Sequence, residues 1–329
     1  MIFGAVPVAE ALGAILAHSL SLNSRTFRKG SVLDAQMIEA ITTDGIDEVV
    51  VARLEKGELA ENTAAERVGK ALVGSSLKIG PVFTGRVNLL AEKAGLVRVD
   101  PQAVAAFNAV DEGLTLATLP DLMRVEVDQL VATVKVIPYG ISSFLVEMGL
   151  KALGRHVITL HPFMGGTARL ILTRTEGFKE SLLAKGESVV ADRATSLGYQ
   201  MAEAVVVPHQ EVAIAEALSE DADLHLILGA SATSDRADVA PSAVEHAGGR
   251  IDRFGMPVDP GNLLFLGELR GAPVVGLPGC ARSPALNGVD WVLERLAAGI
   301  GVDGDAVAAM GVGGLLKEMP GRPQPRRPR

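Results

Sequence analysis

Three loops in the second half of the chain carry residue types that bind phosphate and small polar ligands. The first reads Gly-Ala-Ser-Ala-Thr-Ser-Asp-Arg-Ala-Asp over residues 229–238 and leads into a predicted helix start. Small residues let backbone N–H groups approach an anion, and a helix start adds partial positive charge. The candidate ligand contacts in this loop are Gly229, Ser231, Thr233 and Ser234. Asp235 and Asp238 are candidates to hold Mg²⁺ or to accept from a ligand amino group, although such residues also cap surface turns locally.

The second loop, residues 257–263, contains a Pro-Gly turn before a predicted strand. Pro-Gly is a strong turn signal, so a plain β-turn accounts for this segment as well as a ligand site does. If the loop faces a ligand crevice, its polar groups lie beside the other two loops. The candidate contacts are Pro260, Gly261 and Asn262.

The third loop, residues 276–284, reads Gly-Leu-Pro-Gly-Cys-Ala-Arg-Ser-Pro and follows a short apolar strand. A strand followed by Pro-Gly and a polar turn into a helix is an anion-binding arrangement, in which arginine pairs well with phosphate. We expect Ser283 or Pro284 to open the helix. The candidate contacts are Pro278, Gly279, Arg282 and Ser283.

Cys280, also in the third loop, is the single cysteine of the chain. The sequence offers no paired base for it, so we interpret it as a small packing residue. One cysteine excludes an intrachain disulfide framework, and the six histidines show no metal-ligand spacing. A fourth loop, residues 173–177 with Lys179 and Ser181, is a candidate to close over a ligand, or it carries merely solvated charges.

The segments around these loops predict an α/β domain over residues 167–316. Strands alternate with helices, which indicates a mostly parallel sheet sandwiched by helices. In such sheets ligands bind beyond the carboxyl ends of the strands. The predicted strands are residues 168–173, 202–207, 224–228, 263–266 and 273–277, and the predicted helices are residues 182–197, 210–218, 241–247 and 285–297.

The preceding region, residues 1–166, is predicted to be a mixed, β-rich α+β domain. Asp34 is expected to cap a helix that ends at Gly45, and Asn62 to cap a second one. Asp100 followed by Pro101 is a typical helix start. Residues 317–329 form a Pro- and Arg-rich tail, whose composition predicts disorder.

The charge of the chain limits its partners and its location. The formal net charge is −8 although the tail is basic, so the folded part is more acidic still. An acidic body argues against general nucleic-acid binding. The first residues lack the positive segment of a secretory signal, and the early apolar run is too short for a membrane span. We therefore expect a cytoplasmic protein without membrane or nucleic-acid partners.

The order and spacing of the loops resemble the molybdopterin-binding domain shared by the MoaB/Mog and MoeA/gephyrin proteins. The matching pieces extend over roughly residues 168–300, and they are the residues 229–238 loop, Gly248-Gly249, Pro260-Gly261-Asn262 and Gly276-Leu-Pro-Gly279. In the first region, residues 27–33 and 45–49 resemble the entry segment of MoeA-like proteins. Residues 309–315 resemble the end of stand-alone molybdopterin-binding proteins.

This resemblance implies a protein of molybdenum cofactor biosynthesis that binds molybdopterin or the molybdenum cofactor. Family activities include adenylylation of the molybdopterin phosphate with Mg-ATP, and metal insertion, in which the protein positions phosphates and Mg²⁺. The resemblance implies catalytic roles for Asp238 and Asp235, with Asp238 as the Mg²⁺ ligand. It also implies that the loop candidates named above contact the pterin or the phosphate. A homo-oligomer, and a separate nucleotidyltransferase or molybdoenzyme as partner, are also implied.

The chain departs from the family pattern at two places. Ala230 and Ser231 stand where the family has two glycines, and Cys280-Ala281 replaces the Asn-Pro that follows Leu-Pro-Gly in MoeA. The altered loop favours an alternative role, a non-catalytic carrier or sensor that acts with a separate nucleotidyltransferase. A third hypothesis is a hydrolase of the CinA type, which shares the domain and acts on a nicotinamide nucleotide.

Overall fold

A computed structural model describes residues 1–23 and 25–318, and the chain divides into two units, Met1–Leu160 and His161–Arg329. The predicted tail lies outside the described residues from residue 319 onward. Within the described part of the chain, no helix is both long enough and apolar enough to cross a bilayer.

Among its described residues, the first unit contains several small sheets, in which most strand pairs are antiparallel, and four α-helices. Its strands are β1 Ile2–Pro7, β2 Ile15–Leu16, β3 Leu20–Ser21, β4 Thr26–Phe27, β5 Glu48–Arg53, β6 Glu58–Ala60, β7 Leu77–Ile79, β8 Arg86–Ala91, β9 Gly95–Val99, β10 Leu114–Thr118, β11 Met123–Val125, β12 Leu130–Val136, β13 Gly140–Ser142 and β14 Ile158–Pro162. Its helices are α1 Ala35–Thr43, α2 Glu61–Leu72, α3 Pro101–Asn108 and α4 Ser143–Leu153. The largest of its sheets has the order β10-β12-β8-β7 and shares an apolar core with α2 and α4.

Two of the three predicted helix caps in this unit are confirmed. Asp34 accepts a hydrogen bond from the Met37 N–H at 2.8 Å, and Asp100 caps α3 with Pro101 as its first residue. The prediction that Asn62 caps α2 is wrong, because the helix already begins at Glu61. Asn62 Oδ1 instead accepts a hydrogen bond from the Gly85 N–H at 2.7 Å. This bond gives a backbone donor in the turn its acceptor.

The second unit holds the predicted α/β fold. Its strands are β15 Gly166–Arg174, β16 Tyr199–Met201, β17 Val205–Pro208, β18 Leu224–Leu228, β19 Arg250–Phe254, β20 Phe265–Leu269 and β21 Ala272–Leu277. Its helices are α5 Glu180–Thr195, α6 Glu211–Ala217, α7 Val239–His246, α8 Gly288–Ala297 and α9 Gly304–Ala309. A 3₁₀ turn over Gly279–Arg282 follows β21.

The seven strands of this unit form one mixed sheet with the order β16-β15-β18-β21-β20-β19, and β17 also pairs with β15. The pairings of β15 with β16, β17 and β18, and of β18 with β21, are parallel. β20 and β19 extend the sheet as antiparallel strands. The α/β class is thus confirmed, and the sheet is mixed because a hairpin joins β20 to β21.

Both faces of this sheet are apolar. Alternate residues of β15 point to opposite faces, so that Leu170 and Leu172 lie in one cluster with α5 and α8, and Ile171 lies in another with α6 and α7. All five residues of β18 are buried. This pattern is typical of a strand covered on both faces. The polar groups near such a strand therefore lie at its ends.

The third loop reaches its helix later than predicted. Neither Ser283 nor Pro284 opens the helix; α8 begins at Gly288. Asn287 caps it by accepting from the Val289 N–H, and Asp290 accepts from the Asn287 N–H at 2.8 Å. This reciprocal capping box satisfies backbone donors at the helix start, which a proline at position 284 alone does not do.

Candidate functional site

The parallel strands of the second unit end on one side of the sheet, which we call the carboxyl edge and define by Thr173, His209, Gly229 and Pro278. The fully buried Thr173 hydroxyl lies at its centre. It accepts a hydrogen bond from the Ala230 N–H at 2.7 Å and shares another with Nδ1 of His209 at 2.9 Å. Residues from the ends of β15 and β17 therefore fix the start of the first loop after β18.

Arg282 joins the third loop to the first. Its Nη2 donates to the Gly229 carbonyl at 2.8 Å, and its guanidinium lies 5.6 Å from the centre of the Phe178 ring. Its Nε is buried without a hydrogen-bond partner. Burial lowers the pKa of Arg282, and no carboxylate within residues 1–23 and 25–318 counters that effect. A partly buried cation without an anion is costly, so an incoming phosphate would find a pre-positioned donor here.

Asp238 is the N-cap of α7. Its Oδ1 accepts from the Val239 N–H at 2.8 Å and its Oδ2 from the Ser234 N–H at 3.0 Å. The Ser234 N–H foremost, and the Val239 N–H and the nearby His209 to a lesser degree, hold the pKa of Asp238 below its ordinary value. The carboxylate thus stays ionised and shapes the loop, while both of its oxygens already have backbone partners.

Asp235 is exposed and accepts from the Ala237 N–H at 2.8 Å, as in a local Asx turn. In the described part of the chain, no group of three or more His, Cys, Asp or Glu residues is suited to hold a metal ion. The catalytic roles of Asp235 and Asp238, and the Mg²⁺ site at Asp238, therefore stay predictions.

The second loop packs against the start of α8. The Pro260 carbonyl accepts from the Gly288 N–H at 2.8 Å, and a Cβ on Gly261 would lie 3.0 Å from the Gly288 Cα. Asn262 is exposed and directs its amide to the Met256 carbonyl within its own turn. Pro260 and Gly261 are thus brought to the helix that follows the third loop, and Asn262 has a local role.

Arg193 of α5 holds the third loop, although no local pattern in the sequence distinguishes it. Its Nη1 donates to the Ala281 carbonyl at 2.9 Å, and its Nη2 donates to the carbonyls of Ser283 and Ala285 at 2.7 and 2.9 Å. Its Nε donates to Asp290 at 2.7 Å. The side chain is only 9% exposed. A nearly buried arginine that uses all its nitrogens in this way fixes the backbone on which Arg282 stands.

The remaining predicted residues lie around these contacts. Pro278 is buried, and a Cβ on Gly279 would lie 3.6 Å from Nη1 of Arg282, so Gly279 lies beside the guanidinium. Cys280 is exposed and its Sγ lies 3.2 Å from the Asn287 amide nitrogen. Among the described residues, no hydrogen bond joins Ser231, Thr233 or Ser234 to the third loop; they occupy the outer part of the first loop.

His209 is the second functional candidate that the sequence reasoning missed. It follows Pro208 at the carboxyl end of β17 and bonds to Thr173. A histidine directly after a strand of a parallel sheet lies on the side where ligands bind, which is the signal that would have found it.

Comparison with known proteins gives a limited result. The family described as "Domain of unknown function (DUF8806)" matches residues 5–53, which lie in the first unit. This match covers too little of the chain to assign the protein to that family. No curated protein matches the sequence.

Solved structures similar to the chain include the protein CinA from Thermoplasma acidophilum, at 18% identity and a TM-score of 0.27, covering 36% of this chain and 90% of that one. A molybdopterin biosynthesis MoeA protein from Pyrococcus horikosii is 14% identical with a TM-score of 0.30, covering 91% of this chain and 76% of that one. A molybdenum cofactor biosynthesis protein from Pyrococcus furiosus is 12% identical with a TM-score of 0.22, covering 94% of this chain and 65% of that one. Scores this low carry no argument about function.

Proposed function

We propose that the carboxyl edge of the second unit binds the phosphate of molybdopterin or of the molybdenum cofactor. The observation that carries this proposal is Arg282, a partly buried guanidinium with an unpartnered Nε and no counter-carboxylate among the described residues. Phosphate offers several acceptor oxygens and two charges, so it suits this donor better than a neutral ligand does. The Gly229–Asp238 loop supplies small residues beside it for close approach of the ligand.

The pterin ring is assigned to the outer part of the first loop. Ser231 and Ser234 are exposed there and offer hydroxyls, and the resemblance in loop order supports a pterin as the ligand. A homo-oligomer and a separate molybdoenzyme partner belong to the same proposal, and they rest on the resemblance alone.

Two roles are compatible with such a site. The first is a transferase that adenylylates molybdopterin with Mg-ATP or inserts the metal, with Asp238 and Asp235 at Mg²⁺. The second is a non-catalytic carrier or sensor. The backbone bonds of both Asp238 oxygens favour the carrier, because a Mg²⁺ ion would have to displace or share them.

Binding is tested by isothermal titration calorimetry of the full chain with molybdopterin. We expect Arg282→Gln to weaken binding by about 10- to 100-fold, since one charged hydrogen-bond donor is lost. Arg282→Lys keeps the charge but lacks the planar guanidinium, so its affinity for molybdopterin should lie between those of wild type and Arg282→Gln. Arg250→Gln, which removes the same charge from an exposed strand position, is the matched control. Equal affinity of Arg282→Gln and wild type would overturn the proposal.

The two roles are separated by turnover. The protein is incubated with molybdopterin and Mg-ATP, or with adenylylated molybdopterin and molybdate, and the products are identified by mass spectrometry. An enzyme gives product that is lost in Asp238→Ala. A carrier binds with the affinity measured above and gives no product under either condition.

A further inference from the structure

The opposite end of the same sheet contains a cavity. We call this end the amino edge; it is formed where β15 and β18 begin and where the β20–β21 hairpin turns. The cavity has a volume of about 560 Å³, which is in the range of small-molecule sites. The side chains that matter for its chemistry are those of Thr167, Asp221, Asp223, His225 and Arg270.

The wall of this cavity includes the buried His225, and Arg169 lies beside it on the next strand without lining the cavity. His225 is 1% exposed, and its Nδ1 has no hydrogen-bond partner. Arg169, its register partner on β15, has a buried Nε that is likewise unpartnered. Buried polar atoms without a partner are rare in folded proteins because they lose their hydration. An unpartnered imidazole lining an open cavity therefore points to a ligand atom that completes it.

The cavity carries charges of both signs close together. Burial lowers the pKa of His225, and the guanidinium groups of Arg270 and Arg169 add to that effect while Asp221 opposes it. The Asp221 side chain is 95% exposed, Asp223 is also exposed, and Arg270 is 45% exposed. Positive and negative groups therefore face the cavity side by side.

Two of these groups are held in place. Nη2 of Arg270 donates to the carbonyls of Leu218 and Ser219 at 2.9 and 3.2 Å, next to the end of α6, and lies 3.5 Å from Asp221. Asp223 Oδ2 accepts from the Thr167 N–H at 2.7 Å. Fixed charges of opposite sign can orient a small molecule without rearranging first.

From this arrangement we propose that the amino edge is a second binding site, which takes a small zwitterion of the α-amino acid class. The carboxylate and the ammonium of such a molecule are only one carbon apart, which matches charges that lie side by side. Its carboxylate lies near Arg270 and His225, and its ammonium lies near Asp223 and Asp221. The small apolar residues of the wall, Ala222 and Ala272, leave room for a side chain. A simple anion would meet the two carboxylates, and a simple cation would meet Arg270.

The proposal is tested with the full chain carrying ¹³C-labelled histidine, whose His225 resonance is identified with a His225→Gln variant. The standard L-amino acids are added one at a time. We expect at least one of them to shift the His225 signal saturably. The deaminated acid and the decarboxylated amine of that amino acid should each bind about tenfold more weakly or worse, because each lacks one of the two charges.

Two variants locate the charges. Asp223→Asn keeps the acceptor for the Thr167 N–H, and Arg270→Lys keeps the positive charge; each should weaken binding about tenfold. Glu245→Gln, the same charge change at an exposed position of α7, should bind as wild type does. If a variant unfolds by circular dichroism, the ligand series on the wild-type protein decides alone. The proposal is overturned if no amino acid gives a saturable shift, or if the one-charge analogues bind as tightly as the zwitterion.

Discussion

The two edges of the second-unit sheet are built from the same strands, yet they present opposite chemistry. At the carboxyl edge the chain leaves β18 and β21 into loops that lead to helix starts, and the groups displayed there are N–H donors, a hydroxyl and Arg282. At the amino edge the chain arrives from the end of α6 and from a hairpin, and the groups displayed there are carbonyls and carboxylates, with Arg270 bound to two of the carbonyls. This difference is the reason why we propose phosphate for the carboxyl edge and a ligand of mixed charge for the amino edge.

The largest effect is expected for Arg193→Met, which removes the support of the carboxyl edge alone. The variant loses hydrogen bonds to three carbonyls and leaves Asp290 without its cation. We expect the free energy of unfolding to fall by about 2–4 kcal/mol, measured by urea denaturation. The affinity for molybdopterin should also fall, while the NMR signals of His225 and its surroundings stay unchanged. Arg250→Met is the control, and an unchanged unfolding midpoint in Arg193→Met would show that Arg193 does not support the carboxyl edge.

A smaller effect is expected for Thr173→Val, which preserves shape and removes only the hydroxyl. The Ala230 N–H, which is partly buried, then loses its acceptor. Stability should fall by about 1–3 kcal/mol in thermal or urea unfolding, and the Ala230 amide should exchange with solvent faster. Thr173→Ser should restore most of the loss. Thr195→Val, which removes an exposed helix hydroxyl, serves as the control; a loss as large as that in Thr173→Val would count against a special role for the buried hydroxyl.

The smallest effect, and one of opposite sign, is expected at the amino edge. Burial lowers the pKa of His225, so the unfolded chain takes up a proton at this residue before the folded chain does. Its contribution to stability is present above the ordinary histidine pKa and is lost as the pH falls toward the folded value. His225→Leu should therefore lose less stability than wild type between about pH 7 and pH 5.

At about pH 7 the same variant should be as stable as wild type, or more stable by up to about 1 kcal/mol, since an unpartnered polar atom is replaced by an apolar one. Urea midpoints at the two pH values measure this, with His246→Leu, an exposed histidine, as the control. A clear loss of stability in His225→Leu at neutral pH would show that the imidazole has a structural partner.

Local signals in the sequence were sufficient for much of the fold. The α/β class follows from the alternation of segments, and the caps at Asp34 and Asp100 follow from residue type. The predicted start of α8 is too early because proline is common at the first position of a helix, and Pro284 does not occupy that position here. The capping box of Asn287 with Asp290 decides the start instead, and its spacing is readable in the sequence.

The tertiary part of the site could not be predicted in this way. Arg193 lies in the middle of a helix, far along the chain from the loop that it holds. Nothing local distinguishes it from a solvated arginine of an amphipathic helix. His225 lies inside an almost wholly apolar strand, where only the neighbouring strands reveal that its Nδ1 has no partner. Such roles depend on packing between distant segments, which periodicity and capping do not encode.

Binding of the phosphate at the carboxyl edge can be tested by NMR, by mapping bound molybdopterin on the ¹⁵N-labelled chain. We expect the largest amide shift changes at Gly229, Ala230 and Gly279, and we expect them to shrink in Arg282→Gln. Changes concentrated at Thr167, Asp223 and His225, or a spectrum that molybdopterin leaves unaltered, would contradict this proposal.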